Sequence, residues 1–503
     1  MHDTSNLAIR LASTSDGPAA EYFHHSSAQR VDTDAVIIQA IEAQYPNSSV
    51  VIVPESGCNL LAYAASGRAT AVPLREDRDD SGISTSLKWR RYVPPSRRID
   101  GAFGVLVEQV RFGKYQYTWR DHVFFLYVVD GRDGGGAFPH VKNNYIIGEE
   151  KEINQLISWV GQYDSQLHDE VWVFYGGFWQ KDAALYQSVQ KSSWDDVILD
   201  KNMKRTIRGD VERFFNSRST YAKLRVPWKR GVIYHGPPGN GKTISIKAMM
   251  HSLYSRLPAV PTLYGLNVYS YAGPEASLHQ IFSKARQEAP CLLVFEDLDS
   301  IVTDGVRSFF LNEVDGLSSN DGILMLGSTN HLDRLDPGIS KRPSRFDRKY
   351  LFPDPDLPQR VQYAEYWRGK LSENEEIQFP TRLCGAIARI TDGFSFAYMQ
   401  EAFVATLLAI AARDGEDDES GDDENEGAEK DEADRAGAKV EALAREMDLL
   451  SFWYSVTGHP YICYSADKDL DQYVLWREIK KQVKILRDEM TDEVEKIKVG
   501  IQD

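Results

Sequence analysis

Two short stretches hold residues whose types and spacing could do chemistry. HGPPGNGKT contains Gly236, Pro237, Pro238, Gly239, Asn240, Gly241, Lys242 and Thr243, a complete G-x-x-x-x-G-K-T between the strand-like GVIYH and a helical pattern. Glycines at these spacings let backbone N–H groups turn inward around phosphate oxygens, and the helix N-terminus adds a favourable dipole. Lys242 is placed to reach the β- and γ-phosphates of a nucleotide, and Thr243 to ligate Mg²⁺. The bland alternative is a glycine–proline turn, which this strand-to-helix setting disfavours.

In the second stretch, CLLVFEDLDS, the apolar run Leu292 to Phe295 leads into Glu296, Asp297 and, one residue on, Asp299. An apolar strand ending in adjacent carboxylates can hold magnesium and prepare a water for phosphoryl transfer. Most enzymes of that kind place aspartate before glutamate, and here the order is reversed. Apolar residues stop at Phe295, so Glu296 takes the sheet-edge position that faces the metal, and Asp297 becomes the water-activating group. Shifting the register by one would leave Leu298 where a base is needed. The extra methylene of Glu296 is tolerable because Mg²⁺ keeps several waters. Asp297 is one methylene short, so it must come closer or act through a second water. The expectation is a working but slow site. Further on, GILMLGST ends in Asn330, able to orient a water or contact a γ-phosphate, and RPSRFDR carries Arg342 and Arg345.

These residues need a scaffold, and one is legible. From SSWDDVILD (192–200) onward, strand-like and helix-like segments alternate through GVIYH, PTLYGLNV, CLLVF, GILMLGST and RKYLF, the mark of a parallel sheet with crossover helices. After PDPDLP (353–358) the pattern is mainly helical. The stretch 1–31 is polar and reads as disordered. Residues 32–190 read as an α+β accessory domain, with a helix at 34–44, strands at 49–54, in FGVLVEQVRF, KYQYTWR and HVFFLYVV, a helix near 149–160 and the strand EVWVFY (170–175). The fold class is therefore α/β: a parallel-sheet nucleotide-binding core at 191–355 and a helical lid at 356–503, preceded by the accessory domain.

Composition narrows the function. The chain has 503 residues and a formal charge of −16, of which 13 acidic residues against one lysine in 414–434 supply −12. The remaining −4 is ordinary and argues against a general nucleic-acid binder. The acidic run cannot bury enough apolar surface to fold and reads as a disordered insertion in the lid. Cys58, Cys291, Cys384 and Cys463 form no CxxC pair, so neither a disulfide framework nor a zinc site is expected. No apolar run approaches the ~18 residues of a membrane span. An intracellular location, cytoplasmic or nuclear, is the default, with mitochondria left open. KWRRYVPPSRR (88–98) mixes cations and aromatics as single-strand grooves do; a solvated loop is the simpler reading. Trp476, Ile479, Val483, Leu486 and Met490 form a heptad-like stripe that either pairs with another chain or packs on its own domain.

With its phosphate loop (Walker A) and carboxylate strand end (Walker B), the segment from about Trp194 to Ala402 resembles the AAA family of AAA+ ATPases. The resemblance implies ATP and Mg²⁺ as the ligands and a homo-oligomeric ring, hexameric or heptameric, that acts as a motor or chaperone on a protein client. It implies that the backbone near Val197 and Ile198 lies against adenine and that Asn330 is the sensor asparagine. Arg342 and Arg345 match the paired arginines that reach a neighbour's nucleotide, and Ala397, in TDGFSFAYMQEAF, sits beside the nucleotide from the lid. Two features depart from threading members: the Glu-Asp order, and a cramped segment around Tyr271-Ala272-Gly273 with little room for an extra pore helix. Both are shared with the mitochondrial AAA chaperones that translocate the Rieske protein. Two rival readings remain, a slow nucleotide-gated scaffold and a nucleic-acid remodeller.

Overall fold

The computed structural model describes residues 32–74, 86–95, 103–131, 141–266, 268, 270–315, 319–342, 345–374, 376–416 and 469–499. The chain divides into two compact units, one ending at Gln166 and one beginning at Leu167. The stretch 1–31, Cys463 and nearly all of the acidic run lie outside the described residues.

In the first unit, α1 (Thr33–Gln44) starts where the Asp32 carboxylate accepts from the backbone N–H groups of Asp34 and Ala35. Then come β1 (Ser49–Pro54), α2 (Leu60–Ala65), β2 (Thr70–Pro73), β3 (Leu87–Val93), β4 (Val105–Trp119), β5 (His122–Gly131), β6 (Val141–Gly148) and α3 (Glu150–Ser165). The sheet is ordered β1-β6-β5-β4-β2, with β3 on the first half of β4. FGVLVEQVRF and KYQYTWR, two segments by sequence, form the single strand β4, because Gly113 between them stays in the ladder opposite Val128 and makes no turn. KWRRYV likewise forms β3, not a loop. Alternation along β5 sets the packing: Phe124, Leu126 and Val128 face one core with Ile153, Leu156 and Val160 of α3, while Tyr127 and Val129 face a smaller one with Ile41 of α1.

The second unit begins with β7 (Val171–Tyr175), β8 (Phe178–Asp182), α4 (Ala183–Gln190), α5 (Lys201–Asn216) and α6 (Arg218–Leu224). It continues with β9 (Arg230–His235), α7 (Lys242–Tyr254), β10 (Thr262–Gly265), α8 (Pro274–Glu288), β11 (Cys291–Phe295), α9 (Leu298–Ile301) and α10 (Arg307–Asp315). It closes with β12 (Ile323–Thr329), α11 (Pro337–Ser340), β13 (Arg348–Leu351), α12 (Leu357–Lys370), α13 (Thr381–Ile390), α14 (Phe396–Glu416) and α15 (Val474–Val499). The sheet order is β13-β9-β12-β11-β10-β7-β8, parallel except for the β7–β8 hairpin.

The boundary expected at 190 therefore moves to Gln166. EVWVFY belongs to the second sheet, since β7 pairs in parallel with β10 and buries both of its faces, Val171 and Val173 on one side and Phe174 on the other. Its composition announced a strand but not which sheet would take it. Leu292 and Val294 of β11 join the core shared with α7, and Cys291, Leu293 and Phe295 join the one shared with α8 and α10. The helices α12 to α15 have their own core, in which the rings of Trp367 and Phe403 stack 5.0 Å apart. Trp476, Ile479, Val483 and Leu486 are buried there, so the heptad-like stripe packs on its own domain.

Candidate active site

The phosphate loop leaves β9 at Gly236, whose φ is +139° and whose missing Cβ would lie 2.2 Å from the Phe352 carbonyl oxygen. Only glycine fits a backbone so close to the strand below. Gly239, at φ +78°, meets the lid: a Cβ there would come 2.5 Å from the Cβ of Ala397. Asn240 donates its amide to Asp354 at 2.9 Å and is buried, so it anchors the loop and does not line the cavity. Gly241 caps α7, which opens with Lys242 and Thr243.

Lys242 is buried at the loop's mouth and donates to the carbonyls of Gly236 and Pro237, each at 2.8 Å. Burial holds its ammonium below the usual lysine range, while the charges of Asp297 and Glu296 pull it the other way. Both carboxylates are thus close enough to act on Lys242, which brings the two stretches first seen in the sequence into one site.

β11 delivers the carboxylates. Side chains alternate along a strand, so Glu296 continues the row of Leu292 and Val294 and points to the α7 side of the sheet. One of its oxygens accepts from the hydroxyl of Tyr264, on the adjacent β10; the other is buried without a partner among the described residues. An orphaned carboxylate oxygen in such a place is costly unless a cation or donor meets it. It fits a magnesium ligand, as does the exposed hydroxyl-bearing Thr243 across the cavity. Among the described residues there is no group of three or more His, Cys, Asp or Glu able to hold a metal. That suits Mg²⁺, which takes few protein ligands and completes its shell with phosphates and water. Burial, and then the charge of Glu296, keep the Tyr264 phenol well above its ordinary pKa, so it stays a donor.

Asp297 adopts a left-handed backbone, φ +49°, and turns the chain from β11 into α9. Strained non-glycine residues gather at functional sites. Its side chain stands exposed at the cavity, while Asp299 is taken up by the Thr329 hydroxyl at 2.6 Å. Asn330 lies just past β12 and lines the same cavity.

The cavity measures about 510 Å³, the size of a nucleotide site. Besides the phosphate-loop and carboxylate residues, Val197 and Ile198 line it from the segment before α5, and Ala397 from α14. Sequence reasoning missed Tyr363 and Tyr366 of α12, whose rings stack 5.9 Å apart at its wall. Their Y-x-x-Y spacing was the available signal, since positions three apart share a helix face. Tyr264 was missed too; a tyrosine in the strand beside the carboxylates was its trace.

The two arginines are elsewhere. Arg345 is buried and braced within its own chain, bonding Asp315 at 2.9 and 2.8 Å and the Gly338 carbonyl at 2.7 Å. Arg342 is exposed, with one long contact to Asp315 at 3.7 Å. Neither lines the cavity, where Lys242 is the one cation among the described lining residues.

Residues 232–354 match the model of the ATPase family associated with various cellular activities (AAA). The matched segment runs from β9 past β13 and contains the phosphate loop, both carboxylates, Asn330 and both arginines. Val197, Ile198 and Ala397 lie outside it.

Proposed function

This chain carries an ATPase domain of the AAA family, hydrolysing ATP with Mg²⁺, and from that premise we propose that it is a ring-forming motor that remodels a protein partner. The observation that carries the ring is the missing arginine. Phosphoryl transfer gains greatly from a guanidinium on the transferring phosphate, yet the chain's own cavity has none among its described lining residues, while Arg342 stands exposed beyond α11. A neighbouring subunit completes the site with that side chain. Arg345, braced on Asp315, holds the loop that presents it.

In this reading Lys242 exchanges the Gly236 and Pro237 carbonyls for β- and γ-phosphate oxygens. Thr243 and Glu296 hold Mg²⁺, which when bound neutralises charge on the phosphates. Asn330 poses a water, and the Asp297 carboxylate takes its proton as the water oxygen bonds to the γ-phosphorus. The bond from that phosphorus to the β–γ bridging oxygen breaks, leaving ADP and phosphate. Val197, Ile198, Tyr363 and Tyr366 cradle the base, and Ala397 carries the change at the γ-phosphate into the lid. The unit ending at Gln166 holds the client.

Mixing two inactive variants tests the ring. Lys242→Ala lacks its own nucleotide site but keeps Arg342; Arg342→Ala has the converse defect. Mixed assemblies should recover part of the wild-type turnover. No recovery at any ratio, with assembly confirmed by light scattering, would rule out catalysis in trans. Normal ATP affinity with almost no turnover in the wild type would instead favour a nucleotide-gated scaffold.

A further inference from the structure

A buried carboxamide in the phosphate loop calls for a reason. Asn240 is 1% exposed and does not line the nucleotide cavity. Burying such a group costs free energy unless its polar atoms find partners. Its nitrogen donates to the Asp354 carboxylate at 2.9 Å, and its oxygen has no partner among the described residues. An ionised carboxylate only accepts, so the nitrogen has to be the atom that faces Asp354. One hydrogen bond, to a residue 114 positions away, is what this side chain is placed to make.

Asp354 lies in Pro353-Asp354-Pro355-Asp356, which leads from β13 into α12. Asp354 itself is exposed, and an exposed side chain usually holds little in place. Here the backbone beneath it is fixed. Pro353 and Pro355 lock their own φ, and each keeps the residue before it extended. Upstream, the Phe352 N–H donates to the His235 carbonyl at 2.7 Å, at the root of the phosphate loop. Downstream, the buried Arg360 of α12 donates to the Pro355 carbonyl at 2.8 Å.

Arg360 also donates to the Ala388 carbonyl at 2.8 Å and to the Asp392 carboxylate at 2.7 Å. Asp392 stands in the turn before α14, whose Ala397 meets Gly239. Two adjacent loop residues, Gly239 and Asn240, are therefore tied to the lid by separate routes that converge on Arg360.

We propose that Asp354 is a positioning residue for the nucleotide. It does not line the cavity. Through Asn240 it holds the loop in the shape that presents Lys242 and the backbone N–H groups to the phosphates. Preorganisation of that kind favours ATP and ADP alike, because both place a β-phosphate in the loop. It therefore acts on affinity and not on the chemical step. A hydrogen bond that merely closed a surface turn would leave affinity where it is. Binding to a subunit's own loop requires neither a ring nor a client, so this role stands apart from the motor reading.

Affinity is measured on the full-length chain with a fluorescent ADP analogue, and with ADP and a non-hydrolysable ATP analogue as competitors. Asp354→Ala should weaken all three about tenfold, with kcat at saturating ATP nearly unchanged. Asp354→Asn keeps an oxygen that can accept from Asn240, so it should retain most of the affinity. Asn240→Ala should reproduce the Asp354→Ala loss, and the double variant should bind no worse than Asn240→Ala alone, since both changes remove the same bond. Wild-type affinity in Asp354→Ala would overturn the role. So would losses that add in full in the double variant, or an Asp354→Asn chain that binds no better than Asp354→Ala.

Discussion

Reversing the two carboxylates moves a methylene from one side chain to the other, and Tyr264 bears on where the longer one settles. Its hydroxyl fixes one oxygen of Glu296 and leaves the second free for a cation. Tyr264→Phe should therefore raise the Mg²⁺ concentration needed for half-maximal activity several-fold and leave metal-free nucleotide binding, followed by a fluorescent ATP analogue, nearly unchanged. An unaltered Mg²⁺ dependence would remove Tyr264 from the site. Asp297→Asn should bind ATP normally and turn over about 10²-fold more slowly or worse, the usual size of a lost base. If Glu296→Gln showed that pattern while Asp297→Asn turned over normally, the two roles would be exchanged. Lys242 adds a pH signature. Its lowered pKa means that the free enzyme loses this charge at lower pH than an ordinary lysine, near 10.4, would. Bound phosphates favour the charged form, so the alkaline limb of kcat/KM should fall at lower pH than that of kcat. Coincident limbs would contradict this.

At the scale of elements, Asp210 ties α5 to β9 and β13. Its buried carboxylate accepts from Tyr350 at 2.5 Å and from Arg213, and lies 3.7 and 3.3 Å from Arg230 and Arg348. Burial alone would push its pKa up, but these hydrogen bonds and charges outweigh it and hold the group below the usual aspartate range. Its contribution to stability is thus fully present above the unfolded pKa of about 3.9 and is lost as pH falls through the folded value. Asp210→Ala should cost about 1–3 kcal/mol at pH 7, because the part-buried Tyr350 hydroxyl loses its acceptor, while Arg213 and Arg348 are exposed and Arg230 keeps Asp347 at 2.9 Å. The stability gap between wild type and Asp210→Asn, measured by urea melts, should close below about pH 4. A gap that widened there would reverse the assignment. The β10–α8 connection is a second such element. α8 already begins at Pro274, and Tyr271 is fully exposed. Tyr271→Ala should leave both stability and ATP turnover unchanged. Loss of client processing with normal turnover would return a threading loop to this position.

For the whole molecule, a site with no arginine among its described lining residues makes activity, on the ring reading, a property of the assembly. Turnover per subunit should rise with protein concentration until rings are complete, and Arg342→Ala should stay low at every concentration. Turnover independent of concentration, from subunits that remain monomeric, would end the ring model. Among the described residues no helix is long and apolar enough to cross a membrane.

The catalytic segment was legible in the sequence because its chemistry is local. A phosphate loop needs its glycines, lysine and threonine within eight positions, and the carboxylates follow their strand directly. What lies between elements was not legible. That Tyr264 meets Glu296, that β7 closes onto β10, and that Arg345 is buried and braced while Arg342 is exposed all depend on which strands and loops become neighbours. Pairing of that kind joins residues tens of positions apart. A strand's composition says that it is a strand, but which edge it joins is settled by the two faces it must bury and the backbone bonds left open beside it.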